Sequence, residues 1–129
     1  MSIVEIWTYR ERTELGFDPA SGRDITGFGV EALDGSIGKV DEATYDVGSS
    51  FVIVDTGPWI FGKKVMLPAG VIQRVDEDDK KVWVNRTKDQ IKNAPEYDDS
   101  MVSDTGYRNE LGGYYGPGGT GYRDWGTPL

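Results

Sequence analysis

The chain of 129 residues contains no cysteine and no histidine. The absence of cysteine excludes disulfides, thiolate metal sites and cysteine nucleophiles. The absence of histidine removes the commonest general base, the commonest transition-metal ligand and the usual pH switch near neutrality. A hydrolase would need a carboxylate pair, a metal site or a lysine dyad, and no spacing in the sequence singles one out. We therefore expect a protein that is not an enzyme and has no cofactor.

Long apolar runs and basic residues are also scarce. No segment approaches the roughly 18 apolar residues that a membrane helix needs, and the N-terminus carries charges too early for a secretory signal. We therefore expect a cytoplasmic protein without membrane insertion. Lys and Arg number 14 against 22 Asp and Glu, which gives a formal net charge of −8. Because an acidic chain repels phosphate backbones, we expect no direct nucleic-acid binding, and the charge favours solubility or a basic protein partner.

A series of short β-type segments lies between residues 25 and 86. GFGVEALDG alternates apolar and polar residues, and Asp34-Gly35 suits a tight hairpin turn. SSFVIVDT is rich in β-branched and aromatic residues, as in a well-buried strand. VIQRVD and KVWVN alternate in the same way. About six short strands at regular spacing predict an all-β fold, and we favour a small barrel because closure hides the strand edges.

Four consecutive acids, Asp76 to Asp79, lie between the last two predicted strands. Carboxylate oxygens are suitable ligands for a hard cation. The spacing is not that of a calcium-binding loop, however, and consecutive residues of an extended chain point in opposite directions. We expect a solvated hairpin turn, with cation binding left open.

The segment TKDQIKNAP predicts one short helix after the last strand. Thr87 and Gln90 have the spacing of a capping box, and Pro95 would end the helix. Residues 98–129 are rich in glycine and tyrosine and poor in aliphatic residues, so we expect a flexible tail unless it docks on something. The predicted division is an N-terminal segment 1–22, a barrel domain 23–97 and the tail 98–129.

Within residues 23–97 the pieces GFGVEALDGSIGKVDEATYD, SSFVIVDTGPWIFGKKVMLPAGVIQRVD and KVWVNRTKDQIKNAPEY resemble the PRC-barrel domain, in particular its stand-alone bacterial type. The domain also occurs in the H subunit of the photosynthetic reaction centre and in a ribosome maturation factor. The resemblance implies a compact six-stranded PRC-type β-barrel used as an adaptor for other proteins. The family shares no catalytic residues, so none is assigned here.

Aromatic and large apolar residues outside regular strands form a candidate interaction surface. The loop around DTGPWIFGKK is expected to be part core cap and part contact surface, because neighbouring residues in an extended chain alternate faces. Tyr and Trp in the N-terminal segment and the tail suit protein interfaces, since they contribute area with little lost entropy. The candidate residues are Trp59, Ile60, Phe61, Trp7, Tyr9, Tyr114, Tyr115, Tyr122 and Trp125.

The expected function is a non-catalytic protein–protein interaction module, or adaptor, that self-associates into a homo-oligomer, a dimer or larger. One alternative is an RNA-processing or ribosome-associated factor that acts through a basic protein partner. The other is an unrecognised enzyme or a barrel that binds a small ligand, although so few strands leave little interior space.

Overall fold

The computed structural model describes residues 6–45, 48–57 and 63–123. The predicted six strands are confirmed. They are β1 (Gly29–Ala32), β2 (Gly35–Ala43), β3 (Phe51–Asp55), β4 (Lys64–Pro68), β5 (Ile72–Asp76) and β6 (Lys81–Val84). Three α-helices accompany them, namely α1 (Arg12–Leu15), α2 (Lys88–Lys92) and α3 (Thr105–Tyr115). Two single 3-10 turns lie at Ala69–Val71 and Asp99–Met101.

The strands form one six-stranded sheet in the order β4-β3-β2-β1-β6-β5. Neighbouring strands are antiparallel except β1 and β6, which are parallel. The edge strands β4 and β5 follow each other in the chain, yet they share no ladder in the described part of the sheet. The structure therefore shows a six-stranded sheet. It does not show, in its described part, the pairing of β4 with β5 that would close this sheet into the barrel expected from the sequence.

Irregularities in the ladders curve this sheet. Register shifts occur between Val30 and Glu31, between Val40 and Glu42, and between Ile72 and Arg74. Such bulges bend a strand and increase its twist. The apolar faces of the strands are thereby directed to one core. Its largest fully buried side chains are Tyr115, Leu15, Ile25, Ile37, Ile53, Met66, Leu67, Ile72, Ile91 and Leu111.

Helices flank both edges of the sheet. α1 packs against β5, and the Arg10 guanidinium donates to the Gln73 carbonyl at 3.3 Å. α3 packs against β4 at the opposite edge. Covering an edge in this way restrains it from pairing with other chains. Among the described residues no helix combines the length and apolar character that crossing a bilayer requires.

The short helix predicted after the last strand is confirmed as α2. The Thr87 hydroxyl accepts the Gln90 amide at 3.2 Å, and the Gln90 side chain accepts the Thr87 amide at 2.9 Å. The predicted capping box is therefore present. The helix already ends at Lys92, three residues before Pro95.

The expectation of a flexible tail is corrected up to residue 123. Residues 105–115 form the longest helix of the described chain, with Tyr107, Leu111 and Tyr115 buried. The Asp104 side chain accepts the Tyr107 amide at 3.1 Å and caps the helix. Composition alone underestimates the apolar area that this segment can bury, because tyrosine rings provide the area that its few aliphatic residues lack. The tail thus docks on its own domain, the exception that the sequence left open.

The N-terminal segment is packed between the sheet and α3. The Gly70 amide donates to the Ile6 carbonyl and the Ser50 amide to the Trp7 carbonyl, each at 2.7 Å. Arg108 of α3 lies over the Trp7 ring at 5.2 Å. The core consequently takes side chains from all three predicted segments.

Candidate interaction groove

An apolar groove runs beside the first half of β4. It is bounded on one side by that strand and on the other by the end of α2 and the chain that follows it, and its volume is about 160 Å³. Its lining residues are Lys63, Lys64, Val65, Met66, Ile91, Lys92, Ala94, Pro95, Glu96, Tyr97 and Tyr115. Met66, Ile91 and Tyr115 are buried core residues, whereas Val65, Ala94 and Tyr97 are partly exposed. The floor of the groove is therefore continuous with the core.

Side-chain contacts fix the wall formed by residues 94–97. The Tyr107 hydroxyl donates to the Pro95 carbonyl at 3.1 Å, and the rings of Tyr97 and Tyr107 lie 6.0 Å apart. The Tyr114 hydroxyl donates to the Gln90 carbonyl at 2.6 Å and ties α3 to α2. The groove is thus preformed by the tail helix, since both anchoring tyrosines belong to α3.

The rim of the groove carries both signs of charge. Lys63 and Lys64 also line an adjoining hollow with Tyr97, Asp98 and Asp99. The Lys64 ammonium lies 3.0 Å from an Asp41 carboxylate oxygen. This hydrogen bond, together with the nearby Asp41 and Asp99 charges, raises the pKa of Lys64.

The Tyr97 phenol lies in the same environment of mixed charge. Burial is the largest cause of its raised pKa. The charges of Asp99 and Glu42 also raise this pKa, whereas Lys64 lowers it. Carboxylates therefore outweigh lysines around this side chain.

The aromatic residues predicted in the N-terminal segment contact their own chain. Tyr9 is buried, donates from its hydroxyl to the Thr44 carbonyl at 2.7 Å and stacks on Tyr45. Trp7 is partly buried beneath Arg108, whose guanidinium also lies 4.9 Å from the centre of the Phe51 ring. The contacts of these two rings in the structure are intramolecular, and their part in an interface with another molecule stays a prediction.

The tail aromatics differ in exposure. Tyr115 is fully buried, and Tyr114 is partly buried against it with ring centres 5.0 Å apart. Tyr122 is 41 % exposed. Trp59, Ile60, Phe61 and Trp125 lie outside the described residues. Of the five members of the predicted surface that the structure describes, only Tyr122 is exposed.

Sequence analysis did not single out the groove residues Val65, Ala94 and Tyr97. One signal was available, since an extended strand directs Val65 to the face opposite its neighbours Lys64 and Met66. Ala94 and Tyr97 carried no such signal. Their position depends on the path of the chain after α2, which returns along β4. The packing of α3 determines that path.

The acidic run forms the predicted hairpin turn. One Asp76 oxygen accepts the amides of Asp78 and Asp79, each at 3.0 Å. Glu77 binds Arg23 through two hydrogen bonds, at 2.7 and 3.1 Å. Within the described ranges no group of three acidic side chains is arranged to bind a metal ion.

Comparison with known proteins adds no relative. No family model matches the chain, and no curated protein sequence matches it. The resemblance to the PRC-barrel domain thus depends on the quoted sequence pieces alone.

Proposed function

We propose that this chain is a non-catalytic protein–protein interaction module that self-associates through the groove beside β4. The observation that carries the proposal is the group of partly exposed apolar side chains in the groove, Val65, Ala94 and Tyr97, surrounded by charged residues. An apolar centre with a polar rim is the usual anatomy of a protein interface. The volume of about 160 Å³ is below the range of about 300–1,000 Å³ typical of small-ligand pockets. A single apolar side chain from a partner suits it better.

A second copy of the chain is the occupant that the rim favours. Lys63 and Lys92 lie on the same surface as Glu96 and Asp98. In a two-fold dimer the same patch meets itself, so a patch with both signs of charge can pair its lysines with the partner's acids. A rim of one sign would repel its own copy. The mixed rim therefore supports self-association.

The architecture we propose for this module is the PRC-type barrel in the cytoplasm. The six-stranded order and the capped helix that directly follows β6 are consistent with that resemblance. The bulged strands are consistent with a sheet that curves toward closure.

A basic protein partner is the second candidate. Its support is the group of carboxylates beside the groove. Asp41 pairs with Lys64, and the charges of Asp99 and Glu42 both raise the pKa of Tyr97. Together with the net charge of −8, this group attracts a cationic surface. A ribosome-associated role through such a partner belongs to this candidate.

The test is light scattering behind size exclusion over a range of concentrations for the full chain, Ala94→Gln and Ala20→Gln. The added side chain fills the groove at Ala94, whereas Ala20 is exposed in the N-terminal segment and lies outside the groove lining. We expect a wild-type oligomer that persists in Ala20→Gln and dissociates at least about tenfold more readily in Ala94→Gln, as loss of a central apolar contact implies.

Two results would contradict self-association through the groove. A monomer at every concentration rejects the second copy as occupant and leaves the basic partner as the candidate. An oligomer that is equally stable in both variants places the interface elsewhere. Circular dichroism of Ala94→Gln must match the wild type for either comparison to apply.

A further inference from the structure

A polar hollow lies between the N-terminal segment and the first turns of α3. Its volume is about 160 Å³, and it shares no lining residue with the groove. None of its lining residues is acidic, although the chain has 22 Asp and Glu against 14 Lys and Arg. Arg108 therefore gives this hollow a positive charge in an acidic protein. The lining residues are Trp7, Gly48, Ser49, Thr105, Arg108 and Asn109.

Two aromatic rings hold the Arg108 side chain in place. Its guanidinium lies 5.2 Å from the centre of the Trp7 ring and 4.9 Å from the centre of the Phe51 ring. Its Nη2 atom donates to the Ser49 carbonyl at 2.9 Å. An arginine that stacks on aromatic rings still presents its N–H donors in the plane of the guanidinium. The side chain is thus fixed before a ligand arrives, so binding costs little side-chain entropy.

No carboxylate of the described residues forms an ion pair with Arg108. Asp104 and Glu110 are close to it along the chain, but neither lines the hollow. The Asp104 side chain caps α3 by accepting the Tyr107 amide at 3.1 Å. Residues two apart on a helix do not face each other, so Glu110 is directed away from Arg108. The Nε and Nη1 donors of Arg108 also have no acceptor in the described chain. Its charge and these donors are therefore available to an anion.

Neutral donors complete the lining of the hollow. Residues three and four apart share a face of a helix, so Thr105 lies on the same face as Arg108 and Asn109. Ser49 reaches the hollow from the chain before β3. Within the described ranges the hydroxyls of Ser49 and Thr105 and the side-chain amide of Asn109 donate no hydrogen bond. Arginine, serine, threonine and asparagine are side chains with which proteins commonly bind phosphate oxygens.

We propose that this hollow binds a phosphate group, either free phosphate or the phosphate of a small monoester. Arg108 donates charge-assisted hydrogen bonds to its oxygens, and Thr105, Asn109 and Ser49 serve the others. A tetrahedral phosphate suits donors that converge from several directions better than a planar carboxylate does. The net charge of −8 does not prevent binding, because charges beyond about 8 Å are largely screened at physiological salt. The site is separate from the groove, and its test does not depend on self-association.

The experiment is an NMR titration of the full chain that follows the Arg108 Nε–H and the Asn109 side-chain amide resonances. Sodium phosphate, O-phosphoserine, acetate and chloride are added at matched ionic strength. We expect saturable shifts of both resonances with phosphate and phosphoserine, and none with acetate or chloride. The one of the two that saturates at the lower concentration identifies the source as free phosphate or a monoester. No saturation with either, or equal saturation with acetate, would overturn the proposal.

Two variants with the same change of charge locate the site. Asn109→Asp places a carboxylate in the hollow, whereas Asn93→Asp places one at the exposed end of α2, outside the hollow. Asn109→Asp should weaken phosphate binding at least about tenfold, because a hydrogen bond to a charged group is worth about that factor or more. Asn93→Asp should bind like the wild type. Equal affinity in the two variants would contradict a site in the hollow. Arg108→Gln should abolish binding, and the asparagine pair decides the matter if that variant fails to fold.

Discussion

Gly70 lies so close to Ile6 that no side chain fits between them. Its amide donates to the Ile6 carbonyl at 2.7 Å, and a Cβ atom on Gly70 would lie 2.6 Å from that oxygen and 2.8 Å from the Ile6 Cα. Gly70 belongs to the 3-10 turn that joins the two edge strands. The N-terminal segment is thus docked where the sheet does not close on itself, which makes it a structural part of the domain.

We predict that Gly70→Ala destabilises the domain by about 1–3 kcal/mol, the usual cost of overpacking. The new methyl group must displace the backbone of Ile6, which is less adaptable than a side chain. The φ of Gly70 is not in the left-handed region, so the effect is steric. Urea unfolding of the full chain gives the free-energy difference. A loss below about 0.5 kcal/mol would show that the N-terminal segment is not packed here.

The two adjacent glycines of α3 should respond differently to the same substitution. A Cβ on Gly113 meets nothing within 4 Å, whereas one on Gly112 lies 2.9 Å from the Trp7 indole nitrogen. We predict that Gly113→Ala stabilises the chain by about 0.5–1 kcal/mol, because alanine favours a helix over glycine by this amount. Gly112→Ala should give no gain or a loss, since Trp7 must shift. Thermal unfolding compares the two variants. Equal gains would mean that α3 does not pack on the N-terminal segment.

These two contacts show where sequence patterns stop being sufficient. The strands and the Thr87 capping box are local features, and their residues predict them directly. The turn between β1 and β2 is also local, but it lies at Leu33 and Asp34, one residue before the predicted Asp34-Gly35. The docking of α3 depends instead on Arg108, which lies over Trp7 and donates to the Ser49 carbonyl at 2.9 Å. Such contacts join distant parts of the chain through single side chains. The groove is built from the same long-range packing, which explains why its residues were not predicted.

The capping box of α2 should contribute to the stability of the groove wall. We predict that Thr87→Ala costs about 1 kcal/mol, the typical value for losing a threonine N-cap. The Gln90 amide would lose its acceptor, and the helix that carries Ile91 would fray. Thr120→Ala, at an exposed residue after α3, is the matched control and should change the free energy of unfolding by less than about 0.5 kcal/mol. Equal effects of the two substitutions in urea unfolding would contradict a stabilising cap.

The raised pKa values of the buried tyrosines predict that the domain loses stability at alkaline pH. Burial is the first cause of a raised pKa in six tyrosines, which are Tyr9, Tyr45, Tyr97, Tyr107, Tyr114 and Tyr115. A tyrosine in an unfolded chain ionises at about pH 10. Above that pH the unfolded state has released protons that the folded state retains, so the free energy of unfolding is intact below about pH 10 and falls as the pH rises toward the folded pKa values.

The lowered pKa of Arg86, about 10, acts in the opposite sense over the same range, but it is one group against six. We therefore expect tyrosinate absorbance to rise steeply, together with the loss of β-sheet circular dichroism, because most of these phenols ionise only when the domain opens. Tyr107→Phe removes one titrating group and should make unfolding less dependent on pH above about 10, at the cost of the hydrogen bond to Pro95. If tyrosinate formed gradually near about pH 10 while the circular dichroism stayed constant, the phenols would be accessible to solvent and the docking of α3 would be refuted.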